Sequence, residues 1–266
     1  MLMTDREAFE AFSESAAGWT DDREGAAVAG WTYPHLPSEL LPLALADLHR
    51  ELQPNAPVRL RVPINNDQRF ADVCHGAGFS IEYRDSQPKP DGNEWISVRA
   101  RRVLTLADTV GPGMRLLICG LNPSPSSAET GVGFYRPGNR FWPAALQVGL
   151  VSRDRDPRHA LLAHGVGMTD LVKRPTRTAA ELSADEYREG LDRVRRLTEW
   201  LRPNAVCFVG LAGWRAAVDR RAVAGPQPDR LGPSPVYLMP STSGLNAHSH
   251  LPDLARHLKA ASDLAS

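Results

Sequence analysis

The stretch 114–124, MRLLICGLNPS, sets a short apolar run directly before a glycine and an Asn-Pro turn. A run of this length, closed by glycine, reads as a strand buried on both faces rather than a helix. Two further runs, AVCFVG at 205–210 and VYLM at 236–239, share the pattern. Helical patterns lie around them, at 141–150, 158–164, 184–201 and 212–218. The long one begins with Ser183 and has Glu186 three residues on, a capping box ahead of Tyr187, Leu191 and Val194. Alternation of strand and helix predicts an α/β fold, a three-layer αβα arrangement around a central, mainly parallel sheet. Ligands of such sheets sit beyond the carboxyl ends of the strands. Two unusual loops follow strands directly, 121–140 and 240–250, and chemistry is expected there.

Working outward, the turn Gly111-Pro112-Gly113 marks a boundary between residues 1–111 and 112–266. The first part also alternates: a helix is expected at 41–52, a strand at 58–62, a helix at 70–78, and strands at 81–84 and 95–99, with a loop at 86–94. It forms a smaller N-terminal α/β segment. The formal net charge is zero, but residues 1–111 carry 11 Lys+Arg against 17 Asp+Glu, and residues 112–266 carry 20 against 14. The basic part suits a polyanion, the acidic part does not. Cys74, Cys119 and Cys207 are scattered and odd in number, which fits neither a disulfide framework nor a zinc or iron–sulfur site. They read as core thiols. No apolar run approaches a membrane span, and residues 1–14 are acidic and polar, unlike a signal peptide. A cytoplasmic, monomeric protein without metal or cofactor is expected.

The loop 121–140 lacks both the Gly-Lys-Ser/Thr of a phosphate loop and a G-x-G-x-x-G fingerprint. What it offers is Asn122 at a strand end, whose carboxamide oxygen can accept a hydrogen bond from water but cannot deprotonate it strongly.

The run GLNPSPSSAETGVGFYRPGNRFW at 120–142 resembles the first motif of the mismatch-specific uracil/thymine DNA glycosylases, within the uracil-DNA glycosylase superfamily. The resemblance continues through GVGMTDLVKRPT at 165–176 and the helix start at 181–191, and closes with MPSTSGLNAH at 239–248. It implies a monofunctional glycosylase acting on double-stranded DNA with G·U or G·T mismatches. Asn122 matches the asparagine that positions the attacking water, and Thr169 a threonine that helps hold it. Leu121, Ser127 and Phe134 border the pocket, Phe134 stacking on the extruded base. Amide groups of the loop after Asn122 would stabilise the departing base. Asn139 and Arg140 match a pair that either contacts DNA or braces the helix that follows. Leu245 matches the intercalating wedge. Around it, Ser241 and Ser243 are expected on phosphates, Gly244 is expected to permit close approach to DNA, and Asn246 and His248 are expected on the guanine left behind. The uracil-specific branch has an Asp in its first motif and a His in its second; this sequence has Asn122 and, before Pro240, Met239. Slow chemistry is the implied result, with selectivity coming from mismatch instability and leaving-group quality. Ser124-Pro125 departs from the glycine-containing sequence common in bacterial members, which bears on tolerance of a thymine methyl.

Residues 30–102 resemble, more loosely, the last portion of a class I methyltransferase. The similarity rests on HLPSELLPLALADLHR (35–50), QPNAPVRLRV (53–62), GAGF (76–79) and WISVRARR (95–102). The glycine-rich cofactor loop of those enzymes has no counterpart upstream, so no methyl transfer is expected. A scaffold, a partner surface or an extra DNA contact are the roles left to this segment.

Overall fold

The computed structural model describes residues 17–21, 28–32, 36–62, 67–88, 94–246 and 248–266. The chain divides into two compact units, 1–104 and 105–266. The division falls ahead of the expected 111/112 boundary, because Thr109 pairs in an antiparallel bridge with Met168 and so ties this segment into the second unit.

The first unit holds a five-stranded sheet. Its strands are β1 (Ala17–Asp21), β2 (Val28–Thr32), β3 (Pro57–Val62), β4 (Phe79–Pro88) and β5 (Glu94–Arg102), in the order β1-β2-β3-β5-β4. Only β2 and β3 run parallel; the other neighbours are antiparallel. Helices α1 (Leu41–Glu51) and α2 (Asp67–Gly76) complete it. Val58, Leu60 and Val62 alternate inward along β3, as a half-buried strand requires. The segment 86–94 is not all loop: β4 runs on to Pro88, while residues 89–93 lie outside the described residues.

The second unit is built on strands β6 (Leu116–Gly120), β7 (Val166–Asp170), β8 (Ala205–Val209), β9 (Gly225–Leu231) and β10 (Ser234–Met239). Their order is β7-β6-β8-β10-β9, with β7, β6, β8 and β10 mutually parallel and β9 antiparallel at the edge. The three apolar runs of the sequence became β6, β8 and β10. Each of β6, β7 and β8 is buried along its whole length, which is why β6 and β8 read as continuous apolar runs. The strand β7 escaped the sequence reading because Gly167, Thr169 and Asp170 interrupt its apolar character.

Helices cover both faces of this sheet. Leu116, Ile118, Val166, Met168, Cys207 and Met239 pack toward α4 (Phe141–Gln147), α5 (Pro157–His164) and α8 (Leu251–Leu264). The alternate residues turn to the other face, where Phe208 packs on Trp214 of α7 (Ala212–Ala217), which contacts α6 (Ala184–Leu201). The α6 capping box forms as read, with Ser183 Oγ accepting from Glu186 N at 3.2 Å. The expected mainly parallel αβα architecture is therefore the one observed. The three cysteines are buried and unpaired. No helix among the described residues is long and apolar enough to cross a membrane.

Candidate active site

The first motif leaves β6 at Gly120. Part of it is not loop: residues Pro125–Thr130 form the short helix α3, started by Pro125 and capped by Ser124, whose Oγ accepts from Ser127 N at 3.2 Å. Of the amide groups in the loop after Asn122, those of Ser127 and Ala128 are thereby spent on Ser124. The segment after β7 runs alongside, with Leu171 N on Gly120 O (2.9 Å), Val172 N on Leu121 O (3.0 Å) and Thr176 N on Pro123 O (3.2 Å). These bonds carry the strand pairing past the sheet and hold Asn122 rigidly at its carboxyl end.

Beyond the strand ends lies a cavity of about 390 Å³, within the range of small-molecule pockets. Asn122, Leu121, Ser127, Phe134 and Asn139 line it from the first motif, and Ser241, Ser243, Leu245 and Asn246 from the second. The two motifs, about a hundred residues apart in the chain, thus meet at one site.

Asn122 is held by its nitrogen. Nδ2 donates to Thr176 Oγ1 at 2.8 Å, to Arg174 O at 3.0 Å and to Pro123 O at 3.2 Å. Thr176 Oγ1 gives its own proton to Thr178 O at 2.8 Å, so it can only accept from the amide. Turning the carboxamide over would set its oxygen against acceptors, which fixes Oδ1 as the atom left for a ligand in the cavity.

Phe134 lies half-buried on the cavity wall with φ of 58°, a left-handed conformation rare for a side chain of this bulk. Its ring stacks on Phe141, the centroids 4.2 Å apart and the planes 21° off parallel. A platform so braced suits a flat ring laid on it.

The second motif is organised from the first. Arg140 donates to the carbonyls of Ser243 (2.8 Å), Asn246 (2.7 Å) and Ser249, and its own N–H reaches Thr242 O at 2.9 Å. Of the two readings open for Arg140, bracing is the one realised, though what it braces is the 240–250 loop. Asn139 accepts from Phe141 N at 3.0 Å and so caps the start of α4. Gly244 is needed for a close approach within the protein: a Cβ there would lie 3.0 Å from Gly138 O. The Asn246 carboxamide is spent inside its loop, donating to Ser241 O (2.8 Å) and Ser249 Oγ (3.2 Å) and accepting from His248 N (3.2 Å). It shapes the loop instead of reaching outward. Ser241 and Ser243 accept weakly from Ser243 N and Leu245 N, each at 3.3 Å. His248 is exposed and outside the cavity lining. Leu245 stands out at the cavity mouth, 80% exposed.

Thr169 is a correction. Its hydroxyl donates to Asp108 Oδ1 at 2.7 Å and accepts from Arg193 Nη2 at 2.9 Å, and it does not line the Asn122 cavity. Alternation along β7 sends Thr169 to the far face and its neighbour Asp170 toward the cavity. Thr169 instead belongs to a buried network in which Asp108 pairs with Lys173 Nζ and Arg193 Nη1, each at 2.7 Å. Burial works against the Asp108 charge, yet Arg193, Lys173 and their hydrogen bonds overcome it and hold the carboxyl below its ordinary range.

Sequence reading attached no role to several cavity residues, among them Thr176, Asp170, Arg136 and Arg177. Thr176 and Asp170 sat within a quoted motif with no role attached. Arg136 and Arg177 are exposed on the cavity lining and carry no ion pair among the described residues. Their signal was their basic character, Arg136 inside the first motif and Arg177 directly after the 165–176 stretch, which only the fold gathers in one place. Among the described residues no group of three or more His, Cys, Asp or Glu side chains could hold a metal.

A parallel α/β sheet thus carries, beyond its strand ends, a preformed pocket lined by a nitrogen-anchored asparagine, a braced aromatic platform and an exposed apolar loop residue. Residues 107–265 match the family model of the Uracil DNA glycosylase superfamily. The chain belongs to that superfamily, and so to the hydrolytic DNA glycosylases that remove damaged bases from DNA.

Proposed function

We propose that this chain excises uracil mispaired with guanine, with thymine or a modified cytosine as further substrates, by extruding the nucleotide and directing a water onto C1′. The observation that carries this reading is the anchoring of Asn122. Its oxygen accepts from the attacking water, while the three acceptors around its nitrogen prevent the amide from turning. An amide oxygen is too weak a base to generate hydroxide. The C1′–N1 bond must therefore be largely broken before the water adds, its electron pair passing to the pyrimidine N1 and into the ring carbonyls, and the added water releases its proton to solvent or to the departed base anion. That demands a good leaving group, which uracil is. Extrusion costs a few kcal/mol and least at a mismatch. Leu245, exposed at the cavity mouth, enters the vacated stack, and Arg136 and Arg177 hold the flanking phosphates. Excision leaves an abasic site and needs neither metal nor cofactor. For the N-terminal unit we propose a non-catalytic role as scaffold or partner surface.

The test is incubation with duplexes carrying one G·U, G·T or A·U pair, followed by alkali. Strand breaks at G·U, lost in Asn122→Ala with duplex binding retained, are the expected result. Binding without strand breaks in the native protein would leave a damage sensor instead.

A further inference from the structure

Two of the three acceptors around the Asn122 nitrogen come from outside its own motif, Arg174 O at 3.0 Å and Thr176 Oγ1 at 2.8 Å. Both belong to the segment between β7 and α6. Thr176 and Leu182 are buried there, but residues 177–181 between them are all exposed. Little core packing holds such a stretch, so its geometry rests on polar contacts.

Those contacts form a closed network. A capping box closes the turn Ala179–Glu181, where Glu181 Oε1 accepts from Thr178 N at 2.8 Å and from Thr178 Oγ1 at 3.2 Å. Thr178 O in turn receives the Thr176 hydroxyl, and the Tyr187 hydroxyl reaches Ala179 O at 3.3 Å. A second box starts α6, with Glu186 Oε2 accepting from Ser183 N at 2.9 Å. One guanidinium joins the two boxes. Arg174 Nε donates to Glu186 Oε1 at 2.7 Å, and Nη2 donates to Glu186 Oε2 at 3.0 Å and to Glu181 O at 2.8 Å. The far end is anchored, because Arg193 of α6 pairs with the enclosed Asp108. An exposed ion pair alone contributes little, but a two-pronged arginine–carboxylate pair within a network is the exception. The Arg174 bond, with the Ser183 amide behind it, holds the Glu186 carboxyl down to about 2, so it is charged at any pH near neutral.

We propose that Arg174, half exposed and outside the cavity lining, is a positioning residue for the attacking water. By clamping Glu186 and Glu181, its side chain fixes its own carbonyl and the Thr176 hydroxyl, and these aim the Asn122 oxygen. The inference rests on the role given to Asn122 above. Because one residue supplies both the clamp and an acceptor, a displaced guanidinium moves the acceptor directly. A phosphate contact is the other use for an exposed arginine. Here Nε and Nη2 are committed to protein acceptors, and the Glu186 carboxylate offsets the charge a phosphate would need.

The experiment pairs single-turnover excision with nuclear magnetic resonance of the Asn122 side-chain amide, whose signal is identified by its absence in Asn122→Ala. Its protons should exchange slowly with water in the native protein and markedly faster in Arg174→Ala. Excision of uracil from a G·U duplex should slow about tenfold in Arg174→Ala, with duplex affinity within about twofold. Arg174→Lys keeps the charge but not the fork and should be nearly as slow. Glu186→Gln breaks the pair, leaves the cation in place and should slow excision too. Combining Arg174→Ala with Thr176→Val should cost no more than the worse single change, since both act through one amide. Unchanged amide exchange in Arg174→Ala, or losses that multiply in the double variant, overturns the proposal. So does weaker duplex binding in Arg174→Ala that Arg174→Lys restores, with Glu186→Gln at the native rate, the pattern of a phosphate contact. A native protein that releases no base, with amide exchange still governed by Arg174, sinks the glycosylase reading and spares the positioning of Asn122.

Discussion

The Asn122 amide nitrogen lies 2.8 Å from the Thr176 hydroxyl, whose proton is directed to Thr178 O, also at 2.8 Å. That direction makes the hydroxyl an acceptor and thereby decides which end of the carboxamide faces the cavity. Thr176→Val removes the acceptor and leaves the nitrogen two carbonyls. Single-turnover excision should drop about tenfold, the loss of one hydrogen bond's worth of orientation, with duplex affinity unchanged. Thr176→Ser should restore the rate, and a serine variant as slow as the valine one would refute the positioning role.

Leu245 is 80% exposed and supports no core. Leu245→Ala should leave stability within about 0.5 kcal/mol while slowing excision from duplex DNA, with much less effect on a single strand that needs no wedge. Equal slowing on both substrates would point to a pocket role.

Arg140 holds three carbonyls of the wedge loop through one guanidinium. Truncation to alanine strands those acceptors and frees the loop from the first motif. Amide hydrogen exchange at 243–249 should accelerate while β6 and β8 stay protected. Arg140→Lys should rescue little, since a single ammonium cannot span the fork.

Asp108 holds Lys173 and Arg193, all three nearly enclosed. Asp108→Ala leaves two buried cations uncompensated, and should cost about 3–5 kcal/mol in urea unfolding. Because its folded carboxyl is held below the ordinary range, the stability that Asp108 contributes is present above an unfolded aspartate's pKa of about 4 and lost as pH falls below it.

Asp170 behaves oppositely. Its folded carboxyl titrates at about 6, chiefly through burial, against about 4 when unfolded. The folded state therefore holds the proton more tightly, and stability is full below about 4 and declines as pH rises through about 6. Asp170→Asn should raise the unfolding free energy by about 1–3 kcal/mol at pH 8 and change little at pH 4. Denaturant midpoints at the two pH values check this.

The chain order by itself determined the sheet's apolar strands, the capped α6 and the two loops where chemistry gathers, because burial and capping leave local, periodic signatures. It also named Asn122, Phe134 and Leu245, whose residue types stand out in their loops. Only the tertiary structure decided which neighbour on β7 meets the cavity, Thr169 or Asp170, since strand alternation fixes opposite faces but not which is which. It alone set the amide orientation of Asn122, the turning of Arg140 and Asn246 inward, and the inclusion of Asp108 in the second unit. Each of these rests on partners about 50 to 110 residues away, or on the way one loop folds over another. No local pattern records such contacts; packing creates them.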